Sequence, residues 1–135
     1  MQKIMTKLHF QPIQDKATQI VDAILHTEEI ASLTSERNII RLVVEELIVN
    51  IVNYSGSDYI DIELMRDKDS ITLCFRDNGI PFNPLKRVMP DTTLPLGKRQ
   101  IGGLGIFLVI KKTDAISYEY TNGENILTVS KKIKS

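Results

Sequence analysis

Between Glu36 and Tyr54 the chain carries an almost unbroken aliphatic run: Ile39, Ile40, Leu42, Val43, Val44, Leu47, Ile48, Val49, Ile51 and Val52. Thr34 or Ser35 can cap such a helix, and Glu36 then falls in the first turn, where the macrodipole favours an acid. A helix this apolar must be buried on most sides, so the remainder of the chain has to supply a surface that covers it. At about 100° per residue, Glu46, Asn50 and Asn53 lie within roughly 60° of one another, a narrow polar stripe on the rod, while Glu45 points about 100° away. The stripe has two readings. It is a solvent-facing or backbone-satisfied set of polar groups, or it is the equipment for a metal-bound phosphate, with an amide oxygen for a hard cation and a carboxylate to polarise a hydroxyl.

Two other stretches invite the same question. In Gln100-Ile101-Gly102-Gly103-Leu104-Gly105-Ile106-Phe107-Leu108-Val109, three glycines leave backbone amides bare just before an apolar run that reads as a buried helix. Bare amides at a helix N-terminus suit an anion, although Gly-x-Gly also occurs where a helix packs closely on a sheet. Asp77-Asn78-Gly79 ends an alternating apolar segment and is a turn signal, because Asn-Gly tolerates positive φ. An acid held at a strand end can also accept from the exocyclic amino group of a base such as adenine, and a glycine lets a flat ring approach. A charged acceptor of this kind is worth ~1.5 to 3 kcal/mol, enough for selectivity.

The rest reads around these landmarks. Met1 to Phe10 alternates as an edge strand, and Ile13 to about Leu33 shows helical spacing through Ala17, Ile20, Val21, Ile24 and Leu25. His26 has no ligand-type neighbour at a useful spacing and reads as a surface residue. Tyr59 to Arg66 and Ile71 to Arg76 form a hairpin, as do Ala115 to Tyr120 and Asn125 to Ile133 around Asn122-Gly123. Phe82 to Arg99, rich in proline, reads as a long loop of the kind that covers a ligand. Its Lys86, Arg87, Lys98 and Arg99 either pair with phosphate or are solvated. Cys74 stands alone in an alternating strand, which excludes an intramolecular disulfide and suggests a packed thiol.

These elements, in the order β-α-α-ββ-loop-α-ββ, make one α+β domain over residues 1–135: a mixed, mainly antiparallel sheet covered on one face by three helices. Lys plus Arg and Asp plus Glu both total 17, so no broad attraction to nucleic acid or an anionic membrane is expected. No N-terminal run combines basic residues with a long apolar stretch, and no segment approaches the ~20 apolar residues of a membrane span. The expected location is cytoplasmic.

With stripe, acidic turn and glycine loop in this order, the chain resembles the Bergerat-fold (GHKL) ATPases, the superfamily of gyrase, the Hsp-ninety chaperones, histidine kinases and MutL. The matching segments are Glu46-Leu47-Ile48-Val49-Asn50, Asp77-Asn78-Gly79 and Gly102-Gly103-Leu104-Gly105. The strings Asp77-Asn78-Gly79-Ile80-Pro81-Phe82 and Gly103-Leu104-Gly105-Ile106-Phe107-Leu108 look most like the bacterial anti-sigma-factor serine kinases. The resemblance implies a two-layer sandwich that binds ATP with Mg²⁺. Glu46 would be the general base, Asn50 the magnesium ligand, Asp77 and Gly79 the adenine contacts, and Gly103 and Gly105 the phosphate-loop amides. Thr128 would support the adenine acid by hydrogen bonding, and Asn53, Phe82, Arg99, Gly102 and Leu104 would complete the nucleotide site. Ile51 and Asn53 depart from the residues common after the magnesium-binding Asn. The implied partners are an anti-anti-sigma (STAS-type) protein bearing the acceptor serine and a sigma factor. The first strand is a candidate edge for a homodimer. A nucleotide-gated binding module of the same fold, without phosphotransfer, is the alternative.

Overall fold

The computed structural model describes residues 3–87 and 103–134. In chain order the elements are β1 (Ile4–Phe10), α1 (Ala17–Leu25), α2 (Glu28–Ala31), α3 (Arg37–Asn50), β2 (Ile60–Arg66), β3 (Ser70–Asp77), α4 (Gly103–Lys112), β4 (Ala115–Thr121) and β5 (Glu124–Lys132). The strands form one sheet in the order β1-β2-β3-β5-β4. Every described pairing in it is antiparallel, so the sheet is not the mixed one expected. Alternation puts Ile60, Ile62 and Leu64 of β2 and Ile71, Leu73 and Phe75 of β3 on the face covered by the helices, where all six are buried.

α3 is the central rod of the helical layer and packs against both α1 and α4. Its Ile40, Val43, Val44, Leu47 and Ile48 are buried against the sheet and the flanking helices. Their removal from water contributes on the order of 10 kcal/mol, as an upper estimate. No side chain caps its N-terminus; Glu36 occupies the cap position, and Thr34 and Ser35 do not cap it. Glu36 is buried instead against the far end of the chain: one carboxylate oxygen accepts from the Ser35 hydroxyl at 2.7 Å and from the Lys134 amide at 3.0 Å. Those bonds, Lys134 foremost, hold its carboxyl below the usual range.

Among the described residues the helical layer has four α-helices rather than three, because the expected helix from Ile13 to Leu33 is divided. Ile13 is buried and its carbonyl accepts from the Lys16 amide at 3.0 Å in a turn ahead of α1. At Thr27 the backbone turns extended (φ −67°, ψ 152°) while its hydroxyl donates to the Ile24 carbonyl at 2.7 Å. The break starts α2 afresh, with Glu28 and Glu29 in its first turn and Ile30 in the core. His26 is exposed, as its isolated position suggests. No helix among the described residues is long and apolar enough to cross a membrane.

At its C-terminal end α3 runs into a π-helical turn, Ile51–Ser55, closed by Gly56 at φ +65°. The Ser55 hydroxyl donates back to the Ile51 carbonyl at 2.7 Å. Here the sheet is tied to the helix, since the Ile80 amide donates to the Ser55 carbonyl at 2.8 Å. Gly79 does not have positive φ, so the turn does not need glycine for conformational freedom. A Cβ at Gly79 would lie under 3.0 Å from the Ser55 carbonyl oxygen, carbonyl carbon and Cβ. Two of those are backbone atoms that cannot swing aside. Gly79→Ala is therefore expected to cost about 1–3 kcal/mol, by the scale of overpacking, measured as a lower urea midpoint; an unchanged midpoint would show that the junction is loose.

Candidate active site

The fixed junction between α3 and the end of β3 forms a narrow cleft lined by Leu47, Asn50, Ile51, Asp77, Phe82, Pro84, Tyr118, Asn125 and Leu127. Its walls are mostly apolar, with a few convergent polar groups, which is the make-up of a small-molecule site. Phe82 stacks on Tyr54 with ring centroids 5.8 Å apart.

Asp77 is 2% exposed. The Gly79 amide donates to its Oδ1 at 2.9 Å, closing the Asp77-Asn78-Gly79 turn, and the Asn125 side-chain amide donates to the same oxygen at 3.1 Å. Burial nonetheless pushes its carboxyl up from the ordinary value, opposed by the bonds from Gly79, Asn125 and Ser55. Asn78 points the other way and ties down the loop after α3, accepting from the Asp58 amide at 2.8 Å.

Asn125 is the polar hub that sequence reasoning missed. It lies opposite Asp77 in the β3–β5 register and is itself buried. Its Nδ2 donates to Asp77 and to the Ile80 carbonyl at 2.8 Å; its Oδ1 accepts from the Phe82 amide at 2.9 Å and from the Tyr118 hydroxyl. All four bonds fix the amide's orientation. Thr128, expected in this supporting role, cannot take it. It sits three residues further along β5, on the opposite face of the sheet, with its hydroxyl 3.7 Å from the Cys74 sulfur. Cys74 is a buried thiol in a strand, as expected.

On α3, Asn50 is buried and faces the cleft, whereas Glu46 is half-buried one turn earlier. Burial, and secondarily the charge of Glu45, push the Glu46 carboxyl up from its ordinary value. Glu45 itself is exposed and pairs with Arg41 at 3.2 Å, in keeping with its separate orientation. Asn53 does not join the stripe: the π turn changes the rotation per residue after Asn50, and Asn53 is exposed and away from the cleft lining. Gly103 begins α4 and Leu104 and Gly105 follow in its first turn, packed beside α3. Arg99 and Gly102, with most of the proline-rich loop, lie outside the described residues. Phe82 does line the cleft, at that loop's near end.

Helical layer on an antiparallel sheet, buried acid at a strand end, polar pair on the central helix and glycine-started helix beside it define a nucleotide-binding fold. Residues 10–131 match the histidine kinase-like ATPase domain, and the chain belongs to that family. It is an ATP-binding, kinase-like domain. Among curated proteins it is similar to the serine/threonine-protein kinase BtrW of Bordetella bronchiseptica, at 28% identity over 122 residues, covering 84% of this chain and 86% of the relative.

The raised Asp77 pKa has a consequence for stability. A carboxyl that holds its proton more tightly folded than unfolded costs stability as pH rises from the unfolded value, about 3.9, through the folded one. Asp77→Asn retains an oxygen for the Gly79 and Asn125 donors and removes that cost. Its stability relative to wild type is expected to rise between acid and neutral pH and then level off, as read by urea unfolding across that range; a constant difference at all pH values would contradict the assignment.

Proposed function

We propose that this protein is a Mg²⁺- and ATP-dependent protein-serine kinase acting on a STAS-type anti-anti-sigma partner, and that it doubles as an anti-sigma factor. The observation that carries the reading is the shared placement of Asn50 and Asp77 in one cleft, with Glu46 one turn along the same helix. The likeness to a serine/threonine-protein kinase over most of both chains supports the choice of transfer over simple hydrolysis.

The residues present fit the nucleotide. Asp77 Oδ1 is taken by Gly79 and Asn125, so Oδ2 would accept from the adenine amino group. Leu47, Ile51, Phe82 and Leu127 would flank the ring. The Asn50 side-chain amide makes no hydrogen bond with another described residue, and its oxygen would serve Mg²⁺. Mg²⁺ favours phosphate oxygens and retains water, so the phosphates of ATP and solvent would complete its coordination. Bound Mg-ATP supplies the phosphoryl group, with ADP as leaving group.

Glu46 then has one task. Its carboxylate accepts the proton of the acceptor serine hydroxyl as that oxygen bonds to the γ-phosphorus and the bond to the β-phosphate oxygen breaks. Half-burial and the neighbouring Glu45 raise its proton affinity, which moves a carboxylate towards the working range of a general base. The amides of Gly103 and Gly105, at the start of α4, would steady the phosphates at its positive end.

Glu46→Gln is expected to bind Mg-ATP with near wild-type affinity by calorimetry. Transfer of labelled γ-phosphate to a serine-bearing STAS partner should fall by about 10²–10⁴-fold, the usual contribution of a general base. Transfer at the wild-type rate would sink the base assignment; ATP binding without any transfer by the wild-type chain would favour a nucleotide-gated binding module.

A further inference from the structure

The Glu46 carboxylate makes no hydrogen bond or ion pair with any other described residue. A general base needs its carboxylate held within a fraction of an ångström of the productive position, and the described contact that reaches this carboxylate is its packing against α4. Taking that general-base reading as given, we infer that Gly105 is the positioning residue: its missing side chain is the space that the Glu46 carboxylate occupies.

The packing is close on every atom of the group. A Cβ built on Gly105 would lie under 3.0 Å from Oε1, Cδ and Oε2 alike, and Oε1, the most distant, would be at 2.9 Å. The carboxylate therefore rests against the bare α-carbon in the first turn of α4. Glu46 is anchored by α3 on one side, where Leu47 is buried, and met by α4 on the other, where Ile106 is buried. The α3–α4 packing thus sets where the carboxylate can lie. Within a helix, alanine is the better former, so glycine at this position is not explained by the helix itself. Gly79 differs in kind, because its close neighbours include backbone atoms. At Gly105 the neighbour is the far end of a flexible side chain, so a methyl group there should move the base rather than break the fold.

Alanine also keeps the backbone N–H that the phosphate-loop role needs, which separates positioning from nucleotide binding. Glu46 is raised by burial between these two helices, so a carboxylate displaced towards solvent should titrate closer to an ordinary glutamate. The test uses Gly105→Ala in the full chain, with carboxyl-¹³C-labelled glutamate. The Glu46 signal is assigned by its absence in Glu46→Gln, and its titration is followed by NMR without nucleotide. The expected result is a lower Glu46 titration midpoint and no fall in thermal midpoint. Mg-ATP affinity should stay within about threefold of wild type while γ-phosphate transfer drops at least about tenfold. Gly105→Ala combined with Glu46→Gln should be no slower than Glu46→Gln alone, because the glycine acts only through the glutamate. An unchanged titration midpoint, a marked loss of thermal stability, or a further rate loss in the double variant would overturn the inference. A Glu46→Gln variant that transfers phosphate at the wild-type rate would overturn the general-base reading alone, and the NMR titration would still decide whether Gly105 positions the carboxylate.

Discussion

The contact between Gly79 and the Ser55 carbonyl, sealed by the hydrogen bond from the Ile80 amide, holds the end of β3 against the end of α3. Asp77 belongs to the sheet and Asn50 to the helix, and this junction helps make them walls of one cleft. The π-helical turn ends at Ser55, whose carbonyl is the acceptor for the Ile80 amide. Gly79 is glycine because of that approach, not because of its backbone angles.

A second layer of order comes from Asn125. By bonding Asp77, the Ile80 carbonyl, the Phe82 amide and the Tyr118 hydroxyl, it joins β3, β4 and β5 to the start of the loop that lines the cleft. Buried polar networks of this kind are stabilising only when every member is satisfied, and the four bonds use the amide's donors and acceptors in full. The cleft is therefore held firmly around Asp77. On the side of Glu46, position depends on packing between α3 and α4. The two ends of the site are held by different physics, which suits the proposed roles of Asp77 in recognition and Glu46 in accepting a proton.

Much of this was legible in the sequence because it rests on local periodicity. The aliphatic run of α3, the alternation of β2 and β3, and the Asn122-Gly123 hairpin turn, with both residues at positive φ, follow from the residues themselves. The Glu46–Asn50 spacing needs only an α-helix, and Asp77 needs only a strand end. What failed depended on longer-range geometry. Asn53 left the stripe because the helix widened after Asn50. Thr128 fell on the wrong face because an odd shift along a strand reverses its side, and nothing local places Asn125 rather than Thr128 opposite Asp77. The contact of Gly105 with Glu46 joins residues far apart in the chain and leaves no mark on local pattern. The order of the strands, with β5 inserted between β3 and β4, is likewise set by tertiary packing.

In the proposed mode of binding, the cleft between α3 and the end of β3 receives the base of ATP while the start of α4 receives its phosphates. Amide chemical-shift mapping by NMR during a titration with Mg-ATP tests it most directly. Saturable shifts are expected at Asn50, Asp77, Gly79, Asn125 and Gly105, with little change on the opposite face of the sheet around Lys7, Glu63 and Cys74, and much weaker effects from Mg-GTP. No saturable shift with Mg-ATP, or shifts confined to that opposite face, would contradict it.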